Sequence, residues 1–280
     1  MKIAVITDME GVAGIQSFED WTEPGGRYYE RGREFLTEEV NAAIEGFYTA
    51  FGAAMPSAAL EITVIDGHGQ GGIDPWLLDK RALLSRGWGV PHQFGLNDNF
   101  DAAAWIGQHA KSGTLAAHMA HTGSCDVLDF KINGVSMGEF GQCAAIAGFY
   151  GAAVLFGSGD RAFCDEAKAL TQRIHTVEVK HGVNLKDGSE CDAAAYRNHT
   201  LGAVHLHPLK ARELIRQGAE KALLDFLANR SQYEPLLVPR MKLRWRYISE
   251  VWYRDKHKET RRHKTDIVEM YSATAEREAF

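Results

Sequence analysis

The sequence predicts an α/β fold: a mixed β-sheet core flanked by helices, with the active site at the carboxyl ends of the strands. Three observations predict it. Short apolar runs of strand length alternate with longer stretches of helical periodicity. With 280 residues, 45% of them apolar, the chain is long enough to bury a real core. Three of the runs end beside acids or histidines, and in open α/β sheets ligands sit outside the carboxyl ends of the strands.

The first run, Lys2 to Thr7, stops at an acidic turn and reads as a buried strand. Residues 30–50 space Phe35, Val40, Ala43, Ile44 and Phe47 as one face of a helix. Leu60 to Ile65 is a second strand, closed by Asp66-Gly67-His68-Gly69, and Ala102 to Gly107 is a third, ending at His109. Asn133-Gly134 between alternating residues marks a β-hairpin, because both tolerate the positive φ of a type I′ turn. An Ala-rich helix through Glu139–Tyr150 follows, then a strand from Ala153 to Phe156. Ser158 or Asp160 is placed to cap a helix near 161–172. Thr176 to Lys180 is a further strand, and Pro208 opens a helix whose Leu214, Ile215, Ala222, Leu223 and Phe226 share one face. Residues 1–235 therefore read as an α/β catalytic domain of one or two lobes. Residues 236–280 form a basic segment packed on it.

Charge and composition exclude several classes. The net charge of −6 does not suit a nucleic-acid binder. Between Arg240 and Lys264, ten Lys or Arg and three acids mix with Trp245, Tyr247, Trp252 and Tyr253. Such a patch can serve an anionic ligand, but in an acidic chain it reads as a solvated or subunit-facing edge. No run of about 18 apolar residues is present to span a membrane. The four apolar residues before Thr7-Asp8 are fewer than the roughly 7–15 of a signal segment, so a cytoplasmic location is expected. Cys125, Cys143, Cys164 and Cys191 are irregularly spaced, which argues for reduced thiols. Any metal must then be held by histidines and carboxylates.

Candidate ligands gather at the strand ends: Asp8 and Glu10 after the first, His68 after the second, His109 at the third. On a continuing strand Asp8 and Glu10 would face the same side. Two adjacent carboxylates repel unless a proton or cation lies between them. Mixed His and carboxylate ligation suits Zn²⁺, and less uniquely Mn²⁺, Co²⁺ or Fe²⁺. From pattern alone, Asp8 also reads as a helix cap or magnesium ligand, and Glu139 as a first-turn acid favoured by the helix dipole. His92, His175, His199, His205 and His207 read as surface or hydrogen-bonded histidines.

These motifs resemble those of the DppA-type zinc D-aminopeptidases. Thr7-Asp8-Met9-Glu10-Gly11 is similar to that family's Ser-x-Asp-x-Glu-Gly signature, with Ile6 where the Ser stands. Tyr29-Glu30-Arg31, Thr37-Glu38-Glu39-Val40-Asn41, Asp66-Gly67-His68, Gly107-Gln108-His109-Ala110 and Ala120-His121-Thr122 match further segments. Ile132-Asn133-Gly134 with Gly138-Glu139, and Gly159-Asp160-Arg161, complete the set. The match is specific to about residue 165, weak over 208–228, and poor in the basic segment.

The resemblance implies a zinc aminopeptidase that removes the N-terminal residue of short peptides, D-amino-acid peptides above all. It implies Asp8, Glu10, His68, His109 and Glu139 as ligands, reversing the plain reading of Glu139. His121 is implied as the catalytic histidine, with His118 its competitor. Five ligands exceed the needs of one tetrahedral zinc, so two Zn²⁺ per subunit are expected. A homo-oligomer is implied as well. An amidase acting on a non-peptide substrate, and a non-catalytic assembly protein on the same scaffold, remain open alternatives.

Overall fold

Residues 3–7 are almost wholly buried, so the first strand belongs inside a sheet covered on both faces. The computed structural model describes residues 1–87, 95–238 and 245–280; His92, Arg240, Lys242 and Arg244 lie outside the described residues. The chain runs through β1 (Lys2–Thr7), α1 (Tyr29–Ala54), β2 (Glu61–Asp66), β3 (Ala82–Ser85), β4 (Ala102–Gln108), β5 (Val127–Ile132) and β6 (Val135–Ser136). It continues with α2 (Glu139–Phe149), β7 (Ala153–Asp160), α3 (Arg161–Leu170), β8 (His175–Gly182), α4 (Ala193–His199) and β9 (Ala203–His205). It closes with α5 (Pro208–Asn229), β10 (Tyr247–Tyr253), β11 (His257–His263), α6 (Ile267–Ser272) and β12 (Glu276–Ala279).

The main sheet has the order β3-β2-β1-β4-β7-β8-β9. Its pairs are parallel except for the last, in which β9 runs against β8. Alternation along β1 assigns its two faces. Ile3 and Val5 pack with Leu36, Ile44 and Phe47 of α1 and Ile215 and Leu223 of α5. Ala4 and Ile6 face Trp105, Phe140 and Ile146, with Val251 and Ile267 from the C-terminal segment.

A second, antiparallel sheet has the order β12-β11-β10-β5-β6. Its β5–β6 turn has Asn133 at φ 51° and Gly134 at φ 82°, the two positive angles a type I′ hairpin needs. Three of its five strands come from the basic C-terminal segment. There Lys258 pairs with Glu250 and Glu278, Arg261 with Glu259, and Arg262 with Glu276. These charge pairs, across strands except for Arg261–Glu259 along β11, explain why the sequence pattern misses β11. Its His-Lys-Glu-Thr-Arg-Arg-His run has no apolar alternation to show. The short strands β3 and β9 escape for want of length. Elsewhere the expected elements lie within a few residues of the observed ones; Asp160, not Ser158, caps α3 through Ala162 N and Phe163 N.

At the centre the ends of β1 and β4 nearly touch. Asp8 N donates to Ile106 O at 2.9 Å and Gly11 N to Gly107 O at 2.7 Å. A Cβ on Gly107, whose φ is +76°, would lie 2.0 Å from Asp8 O, and one on Gly11 would lie 1.9 Å from Gln108 O. Both glycines are therefore required by close approach, and Gly107 by its backbone angle too. Gly107→Ala should destabilise the fold by about 3 kcal/mol or more, measured by denaturant unfolding. A loss under about 0.5 kcal/mol, the scale of an ordinary surface change, would show that the strand ends are not so constrained.

Candidate metal centre

Sheet order brings the candidate ligands together. β2, β1 and β4 are adjacent, so their carboxyl ends step across the sheet by about 4.8 Å each. Asp8 follows β1 directly, His68 comes two residues after β2, and His109 follows β4 directly. Glu10 differs from the sequence expectation in its local structure. β1 ends at Thr7 and Glu10 sits in a turn in which Val12 N donates to Met9 O. The turn, not a continuing strand, brings Glu10 beside Asp8. Glu139 opens α2, and His121 lies in the loop between β4 and β5.

The side chains converge. His68 Nδ1 is 3.0 Å from Asp8 Oδ1 and 3.0 Å from Glu10 Oε2. His109 Nε2 is 3.2 Å from Asp8 Oδ2 and 3.5 Å from Glu139 Oε1. His121 Nε2 is 3.6 Å from Glu139 Oε1. The His109 and His121 rings stack with centroids 4.1 Å apart.

The opposite nitrogen of each imidazole meets a backbone carbonyl. His68 Nε2 is 2.8 Å from Thr22 O, His109 Nδ1 is 2.9 Å from Ala110 O, and His121 Nδ1 is 2.9 Å from Met119 O. A carbonyl oxygen only accepts, so each of these nitrogens carries the proton. In the neutral ring the other nitrogen then points a lone pair at the carboxylates, the arrangement second-sphere carbonyls impose on metal-binding histidines.

Asp8 and Glu10 are buried, with 5% and 3% exposure. Asp8 Oδ2, Glu10 Oε2 and His109 Nε2 are buried without an aligned hydrogen-bond partner. Two overlapping sets of ligand atoms lie within 4.8 Å of one another: Asp8, Glu10 and His109, and His109, His121 and Glu139. Orphaned donors aimed at common points fit divalent cations in chemistry and placement. His121 is thus as close to ligating distance as the residues the sequence assigns as ligands.

The electrostatics agree. Burial alone would push Asp8 up, but the His109 and His68 imidazoles hold it far below the usual carboxylate range. Burial likewise works against the His109 pull on Glu139, which ends at about 2. Burial would lower His68 and His109, yet the carboxylates, led by Glu10 at His68 and Glu139 at His109, raise both well above their ordinary value. In a metal-free pocket, protons on these rings stand where cations would go.

A supporting layer stands behind these residues. Glu39 Oε1 accepts from Ala13 N at 3.0 Å, His205 Nδ1 from Gly14 N at 3.1 Å, and the buried Lys180 Nζ donates to Ile15 O at 3.3 Å. Together they pin the turn that carries Asp8 and Glu10. Burial pushes Glu39 up to about 7 and Lys180 down to about 8. Glu166 of α3 accepts from Lys111 N at 2.9 Å and Gly138 N at 2.8 Å, tying together the backbones beside His109 and Glu139. Only Glu39 left a trace in the sequence, as an acid on the apolar stripe of α1 beside Leu36 and Val40. His118 is fully buried and packs edge-on against His205; burial lowers it to about 2, so it is neutral.

Asp8, Glu10, His68, His121 and Glu139 line one open cleft of ≈ 550 Å³. Its outer wall includes Phe18, Glu23, Asp126 and Arg197.

The D-aminopeptidase family model matches residues 1–274, running into the basic segment where no motif was legible. D-aminopeptidase of Bacillus subtilis (strain 168) is 31% identical over 244 residues, covering 85% of this chain and 78% of that protein. A solved structure, the Zn-dependent D-aminopeptidase DppA from Bacillus subtilis, described as a self-compartmentalizing protease, superposes with a TM-score of 0.80. That match has 26% identity and covers 97% of this chain and 94% of the other. With its sheet order, its converging carboxylates and imidazoles, and a family match along nearly its whole length, the chain belongs to the D-aminopeptidase family.

Proposed function

We propose that the chain is a zinc-dependent aminopeptidase that removes the N-terminal residue of short peptides, D-amino-acid peptides above all. One observation carries this reading: three imidazoles each donate a hydrogen bond to a backbone carbonyl and turn the other nitrogen toward three carboxylates. Asp8, Glu10, His68, His109 and Glu139 would hold two zinc ions per subunit, the first two carboxylates at one end and Glu139 at the other. Zinc bound there supplies a water of lowered pKa and polarises the scissile carbonyl.

His121 acts on protons. Met119 O holds its Nδ1–H, so Nε2 is free to take a proton from the attacking water side and return it to the leaving amine. Phe18 packs edge-on against this ring at 5.4 Å and limits its rotation. Glu139 Oε1, accepting from Gly123 N at 2.7 Å, keeps the His121 loop against α2.

Residues 1–235 form the catalytic body in this reading, and 236–280 complete the second sheet upon it. The solved relative is described as self-compartmentalizing; we read this chain as a homo-oligomer too. No helix among the described residues is long and apolar enough to cross a membrane. The four cysteines are free thiols, which suits a reducing cytoplasm. No nucleic-acid partner is assigned, since the net charge is −6.

Two measurements test the site. His121→Ala should lower kcat on an alanine dipeptide by about 10²–10⁴-fold and leave zinc content near wild type. Loss of zinc together with activity would make His121 a ligand and overturn its assigned role. Zinc loading of metal-free protein at pH 7 should release about two protons per subunit, because His68 and His109 hold theirs until a cation displaces them. Affinity should accordingly weaken as pH falls. Calorimetry in buffers of different ionisation enthalpy reads the count, and a count of zero would contradict this ligand set.

A further inference from the structure

We propose that Arg197 is the subsite for the substrate's terminal carboxylate, making the substrate class short peptides with a free C-terminus; the assignment rests on the aminopeptidase reading above. The charge of the cleft points there first. Asp8, Glu10, Glu23, Asp126 and Glu139 line it, and Arg197 is its one Lys or Arg among the described residues. A short peptide is a zwitterion. Its ammonium group suits the acidic wall, whereas its carboxylate is repelled everywhere along that wall except at this guanidinium. The metal end is not an alternative place for it, because the scissile carbonyl must sit there.

Geometry sets the length. The Phe18 ring touches both functional groups, 5.4 Å from the His121 ring and 4.9 Å from the guanidinium carbon of Arg197. The guanidinium is therefore within about three extended residues of the histidine, at about 3.3–3.6 Å per residue. A carboxylate one to three residues beyond the scissile bond reaches it.

The wall that carries Arg197 is held firm. Asp192 caps α4 through Ala195 N at 2.8 Å. The hydroxyl of buried Tyr196 accepts from Gly113 N at 2.8 Å. Arg254, from the C-terminal sheet, lies 3.6 Å over the Tyr196 ring. It donates to the carbonyls of Cys125, Gly188 and Cys191 and to Ser112 Oγ. One arginine thus ties α4 to both flanks of the loop bearing His121, which explains what the basic segment contributes to the cleft.

The partner of Arg197 in the structure is Glu23 on the facing wall. Their side chains are 31% and 49% exposed, and an ion pair so exposed holds weakly against a competing carboxylate. A substrate carboxylate replaces Glu23 on the guanidinium in the paired geometry that arginine favours.

The test compares an alanine dipeptide with its C-terminal amide on the zinc-loaded enzyme, in whichever enantiomer turns over. Wild type should favour the free acid by about tenfold or more in kcat/KM. Arg197→Gln should collapse that ratio toward one, through KM and not kcat, at unchanged zinc content. Arg197→Lys keeps the charge without the paired geometry and should retain part of the preference; it also guards against misfolding of the first variant. Equal efficiency on acid and amide in wild type, or an unchanged ratio in both variants, overturns the proposal and leaves the hydrolase reading intact. No turnover of either compound overturns the hydrolase reading and this proposal with it.

Discussion

Carboxylates held together away from water need positive charge between them, and the rest of the structure follows from that constraint. Asp8, Glu10 and Glu139 sit close to one another at the carboxyl end of the parallel strands, two of them at 5% exposure or less. Imidazoles intervene at each gap, and each is oriented by a backbone carbonyl on its far side. Orientation matters more than proximity here. A histidine whose free nitrogen turned outward would leave the carboxylates facing each other with no donor or cation between them, a costly arrangement away from water.

The scaffold satisfies this need through topology. Because β2, β1 and β4 are neighbours, candidate ligands about 60 and 100 positions apart in sequence fall within a few ångströms, with no long loop required. The glycines at 11 and 107 let the two central strand ends close on one another. Glu39, Lys180 and His205 then anchor the turn after β1, while Glu166 ties together the backbones beside His109 and Glu139. Lys180 also places one buried cation in the field of Asp160, Glu39, Glu10 and Asp8. The pocket is thus shaped from behind by charge as well as by packing.

How much of this was legible in the sequence depends on range. β1, β4, α1 and α5 were readable because their apolar periodicity is strong and local. The candidate ligands at strand ends were readable as types: Asp8, His68 and His109 stand where a sheet presents them. Glu139 was not, since a first-turn acid has an ordinary explanation in the helix dipole; only family resemblance pointed to it. Of the second sheet only the β5–β6 hairpin was legible; the rest was hidden because β11 carries charge on both faces and gains its order from partners on β10 and β12. Arg254 and Lys180 were hidden for a different reason. A lone arginine and a lone lysine have no local signature, and their roles come from chain segments far away.

The central claim is that these side chains enclose two cations. Anomalous diffraction at the zinc edge, on crystals of protein purified without chelators, tests it most directly. Two peaks about 3.5–4 Å apart, within bonding distance of Asp8, Glu10, His68, His109 and Glu139, are the expected result. Absence of anomalous density at this pocket after zinc soaking, or density held by other residues, would contradict it.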